Sequence, residues 1–298
     1  MLRKATVIVF GLAFFVLFVG SGTVLTQGTI TGEWTADKKK EKGDKIHLSF
    51  SRQSERGGKN QFGSSFEFGE LQGLSAAQTE NGRVSFSLVR EAGTIDCEGS
   101  FTNGRGSGTF RFTPNRSFVE NMRARGFDFE AKSSKGGHDT LEDRLFSAAA
   151  LNVTVALADD LRSANFPNLD ADDLFKAAIF KIDGKFMAEM AATGFPNLSM
   201  EDLVKARIFK IDADFVRRTR DMGFGTDDFE NLVKFSIFKV TPEFLGELRA
   251  EGLTNLSSED VVKLRIFKID AAYVREARAT EPNITIEQLV QKRIGVRR

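Results

Sequence analysis

The chain has 298 residues, room for two or three domains, and carries 42 basic against 41 acidic side chains. That balance excludes the strongly basic domain that nucleic-acid binding usually needs, and 28 % charged with 41 % hydrophobic residues excludes a disordered chain. With 29 Phe but one Trp (Trp34) and one Tyr (Tyr273), the aromatics that build sugar-stacking or base-stacking surfaces are nearly missing, and a lone Cys97 excludes an internal disulfide framework.

Arg3 and Lys4 precede a 16-residue run without charge, Ala5 to Gly20, followed by the small residues Ser21 and Gly22. This is the pattern of a secretory signal with a cleavage site at Val19-Gly20-Ser21. An uncleaved anchor is the alternative, because the apolar character continues to Leu25. Residues 1–27 are therefore set apart as signal peptide or signal anchor. Either version places the rest of the chain outside the cytoplasm, free or held to the inner membrane by this segment alone. No cysteine lies near it, so a lipoprotein anchor is excluded.

Residues 28–113 follow a period of two. Ile46, Leu48 and Phe50 alternate with His47, Ser49 and Ser51, and Val84, Phe86 and Leu88 alternate with Ser85 and Ser87. Ile95 shares a face with Cys97, and Phe110 with Phe112. Gly57-Gly58, Asn81-Gly82 and Asn103-Gly104 punctuate the runs. The expectation is about six antiparallel strands, near 29–34, 45–51, 64–69, 83–90, 93–101 and 106–113, forming a small barrel or sandwich.

Residues 114–298 read as helical, and one phrase dominates them. IFKID begins at Ile179, Ile208 and Ile266, and IFKVT at Ile237, each 29 residues after the last. Leu157, Phe186, Phe215, Phe244 and Tyr273 keep the same interval, as do Leu145, Leu174, Leu203, Leu232 and Val261. A period of this size is the mark of stacked repeats, in which no unit buries its apolar face alone. Within one unit, Ile211 precedes Asp212, which caps a helix carrying Phe215, Val216 and Thr219; Gly223 ends it; Asp228 caps a second helix carrying Leu232, Val233 and Ile237. Ile211 and Val216 form a hydrophobic staple, repeated in Ile182/Met187, Val240/Leu245 and Ile269/Val274. Ser199 with Asp202, Ser257 with Asp260 and Thr285 with Gln288 resemble capping boxes, only the last in the strict Glu/Gln form. Pro114 is expected in a first helical turn, and about 131–140 is expected as an insertion loop in the first unit. The fold class expected is α+β: the antiparallel β domain followed by an α-solenoid of about six 29-residue hairpins.

The stretches GTIDCEGSF (93–101) and GTFRFTPN (108–115), followed by VTPEFLGELRAEGL (240–253) and LSSEDVVKLRIFKI (256–269), resemble the exported C-terminal region of bacterial proteins related to BlaR1-type antirepressor metallopeptidases. The resemblance implies an envelope-facing sensory or interaction module. The membrane domain and HExxH zinc motif of those peptidases have no counterpart here, so it implies no proteolysis.

Residue chemistry points the same way. His47 and His138 lie in separate regions without a recognisable Ser/Asp or Cys constellation, and no clustered Cys and His suggest zinc. Cys97 reads as a buried small hydrophobe, the other reading being a nucleophile with a distant base. Asp159-Asp160 and Glu259-Asp260 are expected in first helical turns, where negative charge suits the helix dipole. Gly104-Arg-Gly106-Ser-Gly108 is a hairpin turn, not a phosphate loop. The expectation is a non-enzymatic chain, with no cofactor or metal, that scaffolds or senses by binding a protein or peptide. The alternative is a small-ligand β-barrel, from Gly32, Glu33 and Trp34 at a lipocalin-like opening. Lys181, Lys210, Lys239 and Lys268 hold one place in four units, just past the second helix. They are candidates either for offsetting the helix dipole or for one cationic stripe facing an acidic partner or anionic envelope polymer.

Overall fold

The computed structural model describes residues 30–38, 41, 43–53, 59–131, 140–164, 169–224 and 228–295. Residues 1–27, the Gly57-Gly58 turn, His138, Val296 and most of the 131–140 loop lie outside the described residues. The class is α+β: a curled, half-barrel antiparallel sheet of seven strands precedes twelve helices among the described residues.

The strands are β1 (Ile30–Asp37), β2 (Lys45–Gln53), β3 (Lys59–Glu67), β4 (Leu71–Gln72), β5 (Asn81–Arg90), β6 (Gly93–Thr102) and β7 (Arg105–Pro114). Their order is β3-β2-β1-β7-β6-β5-β4, so the sheet is open, with β3 and β4 at its edges, and is neither a closed barrel nor a sandwich. The third strand begins earlier than its hydrophobic pattern suggests, because it pairs with β2 along its whole length, and Phe68–Glu70 is a 3-10 turn. β4 escapes sequence reading: two residues are too few to show alternation. Asn103-Gly104 is the β6–β7 turn, both residues with positive φ, whereas Asn81-Gly82 begins β5. Pro114 ends β7, and Asn115 caps the first helix instead.

One face of the sheet is apolar and filled by its own side chains. Trp34 is fully buried, with its ring 5.2 Å from that of Phe86 and 5.6 Å from that of Phe101, and its Nε1 donates to the Glu98 carbonyl at 3.2 Å. Room for the indole comes from Gly99, where a Cβ would stand 2.7 Å from the Trp34 ring and 2.2 Å from the Ser107 carbonyl.

The helices are α1 (Arg116–Arg123), α2 (Leu141–Leu151), α3 (Val155–Ser163), α4 (Ala171–Phe180), α5 (Gly184–Ala192), α6 (Met200–Ile208), α7 (Ala213–Asp221), α8 (Phe229–Ile237), α9 (Pro242–Ala250), α10 (Ser258–Ile266), α11 (Ala271–Thr280) and α12 (Ile286–Arg293). α2 lies on the apolar face of the sheet against β1, β6 and β7, with Phe146 stacked 5.2 Å from Phe110 and edge-on to Phe50 and Phe112. Beyond it, even-numbered helices approach one another in the series α2, α4, α6, α8, α10, α12, and α1 meets α3, α3 meets α5, and α9 meets α11. One apolar cluster therefore runs from Ile30 to Val233, and a second from Met222 to Leu289.

The periodic positions are buried as expected: Phe186, Phe244, Leu174, Leu203 and Leu232 are all core. Two expectations fail. Phe215 is only half-buried, and Ile237 is exposed. Capping boxes close at Thr140–Asp143, Asp170–Asp173, Ser199–Asp202, Ser257–Asp260 and Thr285–Gln288, so the aspartate reaches back as the longer acid would.

Candidate functional site

The IFKID phrase is a helix-to-helix connector in which each letter has one physical task. In α6 the phrase supplies Ile208 as the last helical residue, Phe209 as C-cap and Lys210 in the left-handed region at φ 53°. Ile211 then donates its N–H to the Ala206 carbonyl at 2.8 Å, and Lys210 donates to Arg207 at 3.4 Å. These are the two bonds of a Schellman motif. Ile211 is also buried as the staple before α7, whose N-cap, Asp212, accepts from the Phe215 N–H at 2.7 Å. The geometry recurs at Lys181, Lys239 and Lys268, with φ of 53°, 52° and 53°, and at Asn152 (φ 56°), 29 residues before Lys181.

The four candidate lysines are thus equivalent, and all are exposed. They sit at a backbone position that costs an L-residue about 1–2 kcal/mol and glycine almost nothing. Four of the odd-numbered helices, α1, α5, α7 and α9, use glycine there: Gly126, Gly194, Gly223 and Gly252 all have positive φ. Beside each lysine stands an isoleucine that the fold leaves outside. Ile179, Ile208, Ile237, Ile266 and Ile294 are 47 to 53 % exposed. Isolated exposed isoleucines need no explanation, but these five sit at the C-terminal ends of α4, α6, α8, α10 and α12, which approach one another in series. Helix propensity does not account for them, since a β-branched residue is a mediocre helix former. By packing distance between helices, successive members stand about 8–10 Å apart.

Other ladders tie the units together and are structural. Lys176–Glu201, Lys205–Glu230 and Lys263–Glu287 join successive even helices, at 2.8 Å and 3.0 Å for the first and third. The Lys205 and Lys263 ammonium groups are raised by these carboxylates, and Glu287 is lowered by Lys263. Arg220, Arg249 and Arg278 donate to the carbonyls of Thr193, Met222 and Glu251, one unit earlier. The interval of 29 between these arginines is visible in the sequence; their acceptors are not. Asp159 and Asp160 lie beyond the first turn of α3, contrary to expectation. They bridge units instead: Asp159 pairs with Arg125 at 2.7 Å, which lowers its carboxyl, and Asp160 accepts from the Gly184 N–H at 2.7 Å. Glu259 and Asp260 do occupy a first turn.

On the polar face of β2, His47 has neighbours that sequence reading missed. Ser49 Oγ lies 3.4 Å from His47 Nε2, and Glu41 Oε1 lies 3.9 Å from Nδ1. The signal was there, since residues two apart on a strand share a face. Glu41 Oε1 also accepts from Ser65 Oγ. Cys97 is buried, and burial first, with the Asp96 charge adding to it, pushes its thiol well up, away from the thiolate. No three His, Cys, Asp or Glu residues converge on a metal position among the described residues. No helix of the described residues is long and apolar enough to cross a membrane. No family model, curated protein or solved structure matches the chain.

Proposed function

We propose that this protein is a non-catalytic scaffold or sensory module of the bacterial cell envelope, binding a protein or peptide through one edge of a helical-repeat array. In this reading α1–α2, α3–α4, α5–α6, α7–α8, α9–α10 and α11–α12 are six hairpins of an α-solenoid, the first interrupted by the 131–140 loop. Alternation of the approaching helices and the 29-residue connector support it. The envelope location rests on the N-terminal segment 1–27 and on the resemblance to the exported region of antirepressor metallopeptidases.

The observation that carries the proposal is the isoleucine–lysine edge. The four units ending in α4, α6, α8 and α10 present a half-exposed isoleucine next to a lysine held in a backbone conformation that glycine would adopt more easily. The isoleucine adds nothing to the core of the unit, and the pair forms a surface that offers an apolar contact and a cation at four successive steps. The partner is accordingly a segment with apolar and acidic residues.

The test is crosslinking in the native envelope, with the parent and with a chain carrying Ile208→Ser, Ile237→Ser, Lys210→Gly and Lys239→Gly. Loss of a specific crosslinked partner with unchanged circular dichroism supports the edge. Retention of the same partner refutes it. A fluorophosphonate probe should leave Ser49 unlabelled, and labelling there would overturn the non-catalytic assignment.

A further inference from the structure

An arginine that recurs at one place in the repeat is replaced by Ser236, and a cavity opens there. Arg207 places its guanidinium 3.7 Å from the centre of the Phe186 ring and donates to the Lys181 carbonyl at 2.7 Å. Arg265 repeats this, 4.2 Å over Phe244 and bonded to the Lys239 carbonyl. Arg293 lies 4.8 Å over Tyr273. The residue midway in sequence between Arg207 and Arg265, 29 from each, is Ser236. Its short side chain donates to the Phe209 carbonyl at 2.5 Å, and the guanidinium over Phe215 is that of Arg218, from the same helix as the ring, at 6.0 Å.

Three observations accompany that difference. Phe215 is half-buried, whereas its counterparts Phe186 and Phe244 are 5 % and 6 % exposed. A cavity of about 210 Å3 opens over it, floored by Phe215, Met222 and Val240 and rimmed by Arg218 and Lys239. The two apolar clusters of the chain divide at this seam, with Phe215 touching both. An adjoining recess of about 220 Å3 shares Arg218 and Met222 and adds Arg249 and Asp221.

We infer that this cavity takes an acidic side chain, aspartate or glutamate, of the peptide segment bound along the isoleucine–lysine edge; the inference rests on that reading of the edge. Arg218 lies 6.0 Å over the Phe215 ring, farther than the 3.7 Å and 4.2 Å of the guanidinium groups over Phe186 and Phe244. Two cations on the rim, with no carboxylate among the residues lining the cavity, disfavour a cationic ligand and favour a carboxylate. Neither Arg218 nor Lys239 forms an ion pair among the described residues; both are exposed, and Arg218 faces the Phe215 ring. The volume is that of about seven waters at roughly 30 Å3 each, enough for one side chain on its methylene stem. Ile237 is the next residue after Ser236, so a chain running over the edge passes the mouth.

The test uses the full chain and two fluorescent peptides amidated at the C-terminus, Leu-Glu-Leu-Glu-Leu and its glutamine counterpart, with fluorescence anisotropy as readout. The glutamate peptide is expected to bind about tenfold or more tightly than the glutamine one. Ser236→Arg supplies the missing guanidinium and should abolish that preference while leaving thermal stability equal or higher. Arg218→Gln should weaken the glutamate peptide by about tenfold and leave the glutamine peptide unchanged. Equal binding of both peptides, binding of neither, or full binding by Ser236→Arg overturns the inference. Ile208→Ser with Ile237→Ser separates the two readings. If the edge is the surface, this pair weakens both peptides alike; if it weakens neither while Ser236→Arg still does, the cavity stands and the edge fails.

Discussion

Truncating Phe244 and Phe215 to alanine, one at a time, should cost very different amounts although the two hold the same place in successive units. Phe244 is 6 % exposed, and the Arg265 guanidinium lies 4.2 Å from its ring centre. Removing it creates a cavity and takes away the ring that the cation faces, so the loss should be about 3–5 kcal/mol. Phe215 already faces a cavity of about 210 Å3, so its truncation enlarges a void that the fold tolerates. Only the transfer of a half-buried ring is lost, about 1–2 kcal/mol. Guanidinium chloride titration of the full chain measures both, compared at equal slope so that the midpoints report stability. Equal losses within about 0.5 kcal/mol would refute the argument that Ser236 leaves Phe215 under-packed, and with it the basis for the cavity.

The left-handed lysines yield a signed pair: Lys210→Gly should leave stability within about 1 kcal/mol, because relief of the backbone offsets the added chain entropy and the lost dipole contact, whereas Lys210→Val should lose about 1–2 kcal/mol. Equal midpoints for the two variants would refute the φ-based account. Gly99→Ala sets a Cβ 2.2 Å from the Ser107 carbonyl and 2.7 Å from the Trp34 ring, so the variant should unfold at markedly lower denaturant, with Trp34 fluorescence shifted to the red; an unshifted spectrum and midpoint would refute the close packing of β6 on β7. The Asp202 carboxyl is opposed by burial but lowered overall by its bonds with Ser199 and by Lys205. A carboxyl lowered on folding contributes stability above its ordinary value, near pH 4, and loses it as pH falls through the folded value. Asp202→Asn should therefore flatten the acid limb of a midpoint-against-pH curve between about pH 5 and 2, and an unchanged limb would refute the capping role.

Local physics is written in this sequence with little ambiguity. Alternation in Ile46–Leu48–Phe50 determined a half-buried strand, and the 29-residue interval determined equivalent helices, because strand and helix periods act over a few neighbouring residues. Caps, staples and left-handed glycines were legible for the same reason: each bond in them spans three to five residues. What lies far apart in the chain was decided only by the tertiary structure. Ile237 follows Val233 at helical spacing and reads as core, yet α8 ends with it at the surface. Phe215 matches Phe186 and Phe244 by interval, but it is half-buried, and the residue 21 positions later is a serine where theirs is an arginine over the ring. The burial of the Trp34 indole from β1 likewise needs a glycine in β6 that leaves space for it. A periodic pattern specifies which residues are equivalent; whether an equivalent residue is covered depends on the side chain that the next unit brings to it.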